Sequence, residues 1–79
     1  MPHYYFHVRN DIDTDDLEGM DLADEATARR FAVDNARVLM CETLRQSCNI
    51  NVSHSIIVAG EDRSELFTLT FREAMTITE

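Results

Sequence analysis

Residues 25–46, EATARRFAVDNARVLMCETLRQ, contain neither glycine nor proline and decide the fold of this 79-residue chain. Their apolar positions recur at about 100° per residue, the spacing of an amphipathic α-helix. Asp24 is a favourable N-cap just before this stretch, and Glu25 in the first turn suits the helix dipole. We therefore predict one long helix over residues 25–46.

The predicted helix has an apolar face and an opposite polar face. The apolar face comprises Ala28, Phe31, Ala32, Ala36, Leu39, Met40 and Thr43. The polar face comprises Arg30, Asp34, Arg37, Cys41 and Arg45. Such a helix is expected to lay its apolar face on a sheet.

The segment before the helix begins with a period-two alternation typical of a half-buried strand. Tyr4, Phe6 and Val8 point to one side. His3, Tyr5, His7 and Arg9 point to the other. Residues 10–17 then form an acidic loop, and residues 20–22 are a candidate short second strand.

Two strands are predicted after the helix. The β-branched run Ser55–Ala59 predicts a buried strand, and residues 65–71 predict its return after a turn at residues 60–64. A helical turn over residues 72–75 and an extended tail complete the chain.

These elements predict an α+β fold in two layers, with one long helix packed on a small three- to four-stranded sheet in the order β-(β)-α-β-β. One helix covers one side of the sheet, so the His3, Tyr5, His7 and Arg9 side of the first strand should be uncovered. If the first and third strands are parallel neighbours, their connection should be right-handed. The length predicts a single domain, residues 1–79, and excludes large multi-part enzymes.

The net charge is −8, from fifteen acids against seven bases, all of them arginine. Such a field repels nucleic acid and anionic membranes, so neither is predicted as a partner. It favours encounter with a basic protein surface. No base lies between Arg9 and Arg29, whereas this interval holds Asp11, Asp13, Asp15, Asp16, Glu18, Asp21, Asp24 and Glu25.

Cysteine use and targeting signals predict a cytoplasmic protein. No apolar run approaches the ~18 residues of a membrane span, and the first residues lack the basic start and apolar stretch of a secretion signal. On one helix, Cys41 and Cys48 would lie about 10 Å apart at about 1.5 Å per residue. That spacing exceeds the ~7 Å limit for a disulfide, so both are expected as free thiols in a reducing compartment.

No cofactor or specific metal site is predicted. Residues 11–15, DIDTD, resemble the first half of a calcium loop, but Asp16 replaces its glycine and Leu22 its bidentate glutamate. Weak binding of divalent cations by the carboxylates stays open. His3 and His7 would lie about 13 Å apart along a strand, too far to chelate one metal unaided. Whether His54 approaches either of them from elsewhere stays open.

The sequence also predicts no enzyme activity. Ser53, His54 and Ser55 are adjacent, and neighbours on a strand point apart, whereas a catalytic triad needs converging side chains. The glycines, Gly19 and Gly60, form no phosphate-binding loop.

The leading hypothesis is a non-enzymatic interaction domain, expected to form a homodimer. Tyr5, His7 and Arg9 form a candidate recognition patch on the uncovered strand face, for a carboxylate, a phosphate or a partner's backbone. The acidic loop adds candidate docking carboxylates, Asp13, Asp15 and Asp16. The alternatives are an antitoxin-like inhibitor that masks a basic partner, and a small-ligand or metal-binding module at His7 and Arg9.

Three segments carry a family resemblance: residues 4–9 (YYFHVR), residues 16–24 (DLEGMDLAD) and residues 68–75 (TLTFREAM). With the Ala- and Arg-rich helix, they resemble a bacterial family of small stand-alone domains of unknown function, common in rhizobia and related alphaproteobacteria. Its members typically open with a Tyr-Phe-Phe-His-Val-Arg strand. The chain departs from the family at Asn10-Asp11, often Asp-Gly, and at Thr70, often proline. The resemblance implies a small cytoplasmic bacterial protein and no assigned reaction.

Overall fold

The computed structural model of the protein describes residues 1–78. Within them, the chain forms four strands, one α-helix and a 3₁₀ turn. In order, these are β1 (His3–Arg9), β2 (Met20–Asp21), α1 (Glu25–Ser47), β3 (Ser55–Ala59), β4 (Glu65–Thr70) and the 3₁₀ turn Arg72–Ala74. The predicted α+β fold, with one long helix on a small sheet, is confirmed.

Both ends of α1 have local causes. The Asp24 carboxylate accepts the Thr27 backbone N–H at 2.8 Å and the Thr27 hydroxyl at 2.7 Å, so Asp24 is the predicted N-cap. At the other end, Cys48 adopts a left-handed conformation with φ 54° and donates its N–H to the Leu44 carbonyl at 2.9 Å. The helix therefore runs one residue past the predicted end and stops at this left-handed residue.

The face of α1 on the sheet is narrower than predicted. Ala28, Ala32 and Ala36 are fully buried, and Met40 continues their row at i+4 spacing. Phe31 and Thr43, predicted on this face, are exposed because they lie at its margins. Phe31 still packs its ring against Phe6, with centroids 4.7 Å apart. The alanine row lets the helix backbone approach the sheet closely.

The sheet has the order β2-β1-β3-β4, and every neighbouring pair is antiparallel. A parallel pairing of the first and third strands is therefore wrong. The chain reverses from β1 into β2, and α1 carries it back, so that β3 starts in the direction of β2 and runs opposite to β1. In the centre of the sheet, His7 lies opposite Ile57, and Ile57 lies opposite Thr68.

The core lies between the sheet and α1. Because side chains alternate along a strand, the buried residues of the sheet share the side that faces α1. They are Tyr4, Phe6, Ile56, Val58, Leu69 and Phe71. Ile56 and Val58 are fully buried, and burial of each such side chain contributes about 1.5–3 kcal/mol. Their neighbours in sequence are directed to the opposite side, which α1 does not cover.

Candidate functional site

The uncovered side of β1 carries a row of polar and aromatic side chains, as predicted. The His3 and Tyr5 rings meet edge to face with centroids 5.0 Å apart. The Tyr5 and His7 rings are nearly parallel, with centroids 6.5 Å apart. Arg9 completes the row, and all four residues are partly buried. The predicted patch of Tyr5, His7 and Arg9 is therefore continuous along one strand.

Arg63 joins this row, although no local pattern in the sequence indicated it. Its guanidinium carbon lies 4.4 Å from the centroid of the Tyr5 ring, a cation–π contact. Arg63 reaches Tyr5 from the turn between β3 and β4, where it has φ 66° and donates its N–H to the Gly60 carbonyl. The contact depends on the register between β1 and β3, which the sequence alone did not provide.

The acidic loop (residues 10–17) bonds directly to the row. The Arg9 guanidinium lies 2.8 Å from the Asp15 carboxylate, and the His7 Nδ1 atom lies 3.8 Å from the same oxygen. The Asp16 backbone N–H donates to His7 Nδ1 at 3.0 Å. Asp15 remains mostly exposed, so its carboxylate faces both Arg9 and solvent.

Backbone hydrogen bonds fasten the acidic loop along the outer edge of β1. The Val8 N–H donates to the Thr14 carbonyl at 2.8 Å, and the Thr14 N–H donates to the Val8 carbonyl at 2.9 Å. This reciprocal bridge continues the sheet beyond the two-residue β2. The loop thus takes the place of an edge strand beside Val8.

Asp16 is the second fastening point. Its Oδ2 atom accepts the Phe6 N–H at 3.1 Å, and its Oδ1 atom accepts the N–H groups of Gly19 at 2.9 Å and Glu18 at 3.2 Å. Burial acts to raise the pKa of this carboxyl, but the hydrogen bonds from Gly19, Phe6 and Glu18 outweigh it and lower the pKa. Asp16 therefore organises the loop, while Asp13 and Asp15 expose their carboxylates.

His3 is held at the opposite end of the row. Its Nδ1 atom lies 2.6 Å from an Asp21 carboxylate oxygen, and its Nε2 atom lies 2.6 Å from the Glu18 carbonyl oxygen. Because both partners only accept, both ring nitrogens must donate, which favours the imidazolium. The Asp21 hydrogen bond, followed by that of Glu18, raises the pKa of His3.

Gly19 makes this arrangement possible. It adopts a left-handed φ of 65°, and a Cβ atom there would lie 2.4 Å from the Tyr4 carbonyl oxygen and 2.7 Å from His3 Nε2. Only a residue without a side chain fits between β1 and the His3 ring.

The three histidines do not converge. His3 and His7 lie on the uncovered side of β1, whereas His54 has the parity of the buried Ile56 and packs edge to face on Phe71. The His54 Nε2 atom lies 3.5 Å from an Asp11 carboxylate oxygen, near the Arg9 end of β1. Among residues 1–78, no group of three His, Cys, Asp or Glu side chains is placed to hold one metal ion.

Two further sequence features are resolved by the structure. Cys41 and Cys48 are both exposed free thiols, as predicted. Over the described part of the chain, no helix combines the length and the apolar character needed to cross a membrane.

Fold and surface together define a small α+β domain with a sheet covered on one side and an ordered acidic loop along one edge. Residues 3–72 match the family described as "Domain of unknown function (DUF6894)", and the chain belongs to that family. The search among curated proteins found no match, and the search among solved structures found none. The family agrees with the expected class of domains of unknown function; its expected bacterial origin stays a prediction.

Proposed function

We propose that this protein is a small non-enzymatic interaction domain that binds a basic segment of another protein. The binding region is the loop–sheet surface, defined by Tyr5, His7, Arg9, Asp13 and Asp15. Asp16 holds the loop of this surface in place, because its carboxylate accepts hydrogen bonds from backbone N–H groups of β1 and the loop.

The observation that carries this proposal is the fastening of the acidic loop to β1. Through the Val8–Thr14 bridge and the Asp16–Phe6 hydrogen bond, the loop is ordered before any partner arrives. Ordering side chains and loops at an interface costs about 0.5–1.5 kcal/mol for each immobilised side chain, and a pre-ordered loop reduces this cost. A loop used only for solubility has no need of such order.

The charge of the surface supports a basic partner. The Arg9 charge is already paired with Asp15, and the His3 ring is paired with Asp21. Asp13 and Glu18 are exposed, and no base interrupts residues 10–28. Arg63 adds a positive charge beside Tyr5, but the acids of this surface still outnumber its arginines. Together with the net charge of −8, this would speed encounter with a basic surface. Because Arg9 is paired with Asp15, we do not propose a small anionic ligand at His7 and Arg9.

The same surface supports an antitoxin-like inhibitor as the second candidate, in which the acidic loop masks a basic partner. The two candidates share the interface and differ in what binding does to the partner. Rescue of growth when this protein is expressed with a toxic partner would select the inhibitor.

Compartment and assembly belong to the same proposal. The exposed thiols of Cys41 and Cys48 support action in a reducing cytoplasm. The part of the uncovered sheet side away from the acidic loop, around Ile57 and Thr68, supports a homodimer of so small a domain. Sedimentation at several protein concentrations tests the homodimer, which a concentration-independent monomer mass would exclude.

A lysine-rich peptide is a defined probe for the loop–sheet surface. It should shift the amide NMR signals of Tyr5, His7, Asp13 and Asp15, and an Asp13→Asn/Asp15→Asn variant should bind it more weakly. The matched control Asp34→Asn/Glu65→Gln removes the same two charges elsewhere and should bind nearly as well as the wild type. Equal weakening in both variants would show a general charge effect and contradict the assigned surface.

A further inference from the structure

The two edges of the sheet are finished differently. At the β1 edge, the Phe6 N–H is bound by Asp16 and Val8 is bridged to Thr14. The other edge is β4. The Phe71 N–H donates to the His54 carbonyl of the neighbouring segment. Because hydrogen-bonded positions alternate along an antiparallel ladder, the N–H groups of Phe67 and Leu69 also point toward β3. One edge is thus closed by the chain itself.

The backbone N–H and carbonyl groups of the residues that alternate with Phe67, Leu69 and Phe71 point away from the sheet. They include the carbonyls of Leu66 and Thr68 and the N–H of Thr68. The Thr70 N–H, also directed outward, is bound by the Glu73 carboxylate at 3.1 Å. Because Glu73 covers only this end, the centre of the β4 edge can hydrogen-bond an added strand.

The sequence of β4 offers little protection against such pairing. After Glu65, the first residue of β4, residues 66–71 (LFTLTF) contain no charge and no proline, the usual devices that block an exposed edge. Leu66 is 44% exposed beside Thr68, so an added strand would also cover apolar surface.

Arginines of α1 flank this edge. The Arg29 guanidinium carbon lies 4.2 Å from the centroid of the Phe67 ring, and Arg37 donates its Nε–H to the Ala74 carbonyl at 2.7 Å. Arg29 and Arg37 also line a shallow groove of about 490 Å³ along α1, together with Arg30, Val33 and Asp34. An added strand would direct alternate side chains toward this groove.

We propose that the β4 edge binds an extended acidic segment of another polypeptide as a fifth strand. Its backbone pairs with Thr68, and its acidic side chains meet Arg29 and Arg37. The site is separate from the loop–sheet surface and does not depend on the function proposed for it.

The net negative charge of the protein does not oppose this local attraction. The acidic loop lies beyond β1 in the order β2-β1-β3-β4, about three strand spacings of ~4.8 Å from the β4 edge. That separation of roughly 14 Å exceeds the Debye length of ~8 Å at physiological ionic strength. The acidic loop therefore adds little to the field at the β4 edge, where the arginines of the groove lie on one side and the carboxylates of Glu65 and Glu73 lie at the two ends of the strand.

A second copy of the chain is the less suitable occupant. Antiparallel pairing of two β4 strands would place both helices on the same side of a continuous sheet. The Arg29 and Arg37 side chains of the two copies would then face each other. Like charges across such a contact oppose pairing, whereas acidic side chains favour it.

A blocked hexapeptide of alternating threonine and glutamate tests the proposal by NMR on the isotope-labelled protein. The amide signals of residues 66–70 should shift on titration, and Arg29→Gln should weaken binding by roughly tenfold, the loss of a charge-assisted hydrogen bond. Arg45→Gln, a matched change in the last turn of α1, should leave binding unchanged. Thr68→Pro should abolish the shifts, because it removes an outward N–H that β3 does not use.

Three results would overturn the proposal. The first is equal binding of a peptide with lysine in place of glutamate. The second is the absence of shifts at residues 66–70 with millimolar glutamate peptide. The third is a shift of these signals with protein concentration alone, which would assign the edge to self-pairing.

Discussion

The carboxylate of Asp16 accepts the backbone N–H of Phe6 at 3.1 Å, ten residues back along the chain. An aspartate side chain thus takes the position of a strand at the edge of β1. The same carboxylate also accepts the N–H groups of Glu18 and Gly19. This cluster determines where the acidic loop lies, so it links the fold to the proposed binding surface.

Replacement of Asp16 should destabilise the fold. Asp16→Ala leaves the Phe6 N–H and two loop N–H groups without their acceptor and should lower the free energy of unfolding by about 1–3 kcal/mol. Asp13→Ala is the control, since Asp13 is exposed in the same loop. Urea unfolding followed by circular dichroism measures both. Equal midpoints for the two variants would show that the Asp16 hydrogen bonds do not contribute to stability.

The two glycines should differ in their tolerance of alanine. Gly19→Ala places a Cβ atom against the Tyr4 carbonyl and strains a residue at φ 65°, so it should cost about 1–3 kcal/mol of unfolding free energy. At Gly60, the nearest atom to a new Cβ is a Leu66 side-chain carbon at 3.6 Å. Gly60→Ala should therefore change stability by less than about 1 kcal/mol. Thermal unfolding of the pair checks the difference, and a tolerant Gly19 would contradict the close packing of His3 at this turn.

His3 should make stability depend on pH. Its folded-state pKa is raised above the ordinary value of 6.5 by the Asp21 carboxylate and the Glu18 carbonyl. Its contribution to stability is therefore fully present below pH 6.5 and is lost as the pH rises through the folded-state pKa. Asp21→Asn should move the pKa of His3 down, toward the ordinary value. An NMR titration of the imidazole signals measures the shift, and an unchanged pKa in this variant would refute the assigned cause.

The alanine row of α1 should resist enlargement. Ala32→Leu inserts three carbons at a fully buried position against the sheet and should cost about 1–3 kcal/mol of unfolding free energy. Ala26→Leu is the matched control, because Ala26 is exposed in the first turns of the same helix. Urea unfolding of both variants tests the packing. If Ala32→Leu were as stable as Ala26→Leu, the helix would not approach the sheet as closely as described.

Local patterns were sufficient to predict most of the fold. The alternation in β1, the Asp24 cap and the β-branched run of β3 each carry their signal within a few residues. Phe31 shows the limit of this approach, because apolar character alone did not tell whether it lies at the centre or the margin of the buried face. The antiparallel relation of β1 and β3 likewise depends on β2, which is only two residues long.

The site was predicted less completely, for a physical reason. Tyr5, His7 and Arg9 follow from strand alternation, but the sequence treats Asp13, Asp15 and Asp16 as equivalent carboxylates. Only the folded chain separates them, because Asp16 meets Phe6 through a contact that spans the whole loop. Arg63 was missed for the same reason, since its contact with Tyr5 joins distant segments.

If the acidic loop binds a basic partner because it is held in place, binding should depend on Asp16, and Asp16→Ala is the variant to measure. The variant keeps Asp13, Asp15 and the Val8–Thr14 bridge but removes the hydrogen bonds through which Asp16 fastens the loop. The affinity of Asp16→Ala for the lysine-rich peptide is compared with that of Asp34→Ala, which loses one negative charge on α1 instead. Both are measured at a temperature where both proteins are folded. Asp16→Ala should bind the peptide clearly more weakly than Asp34→Ala. Equal affinities for the two variants would show that the position of the loop does not determine binding.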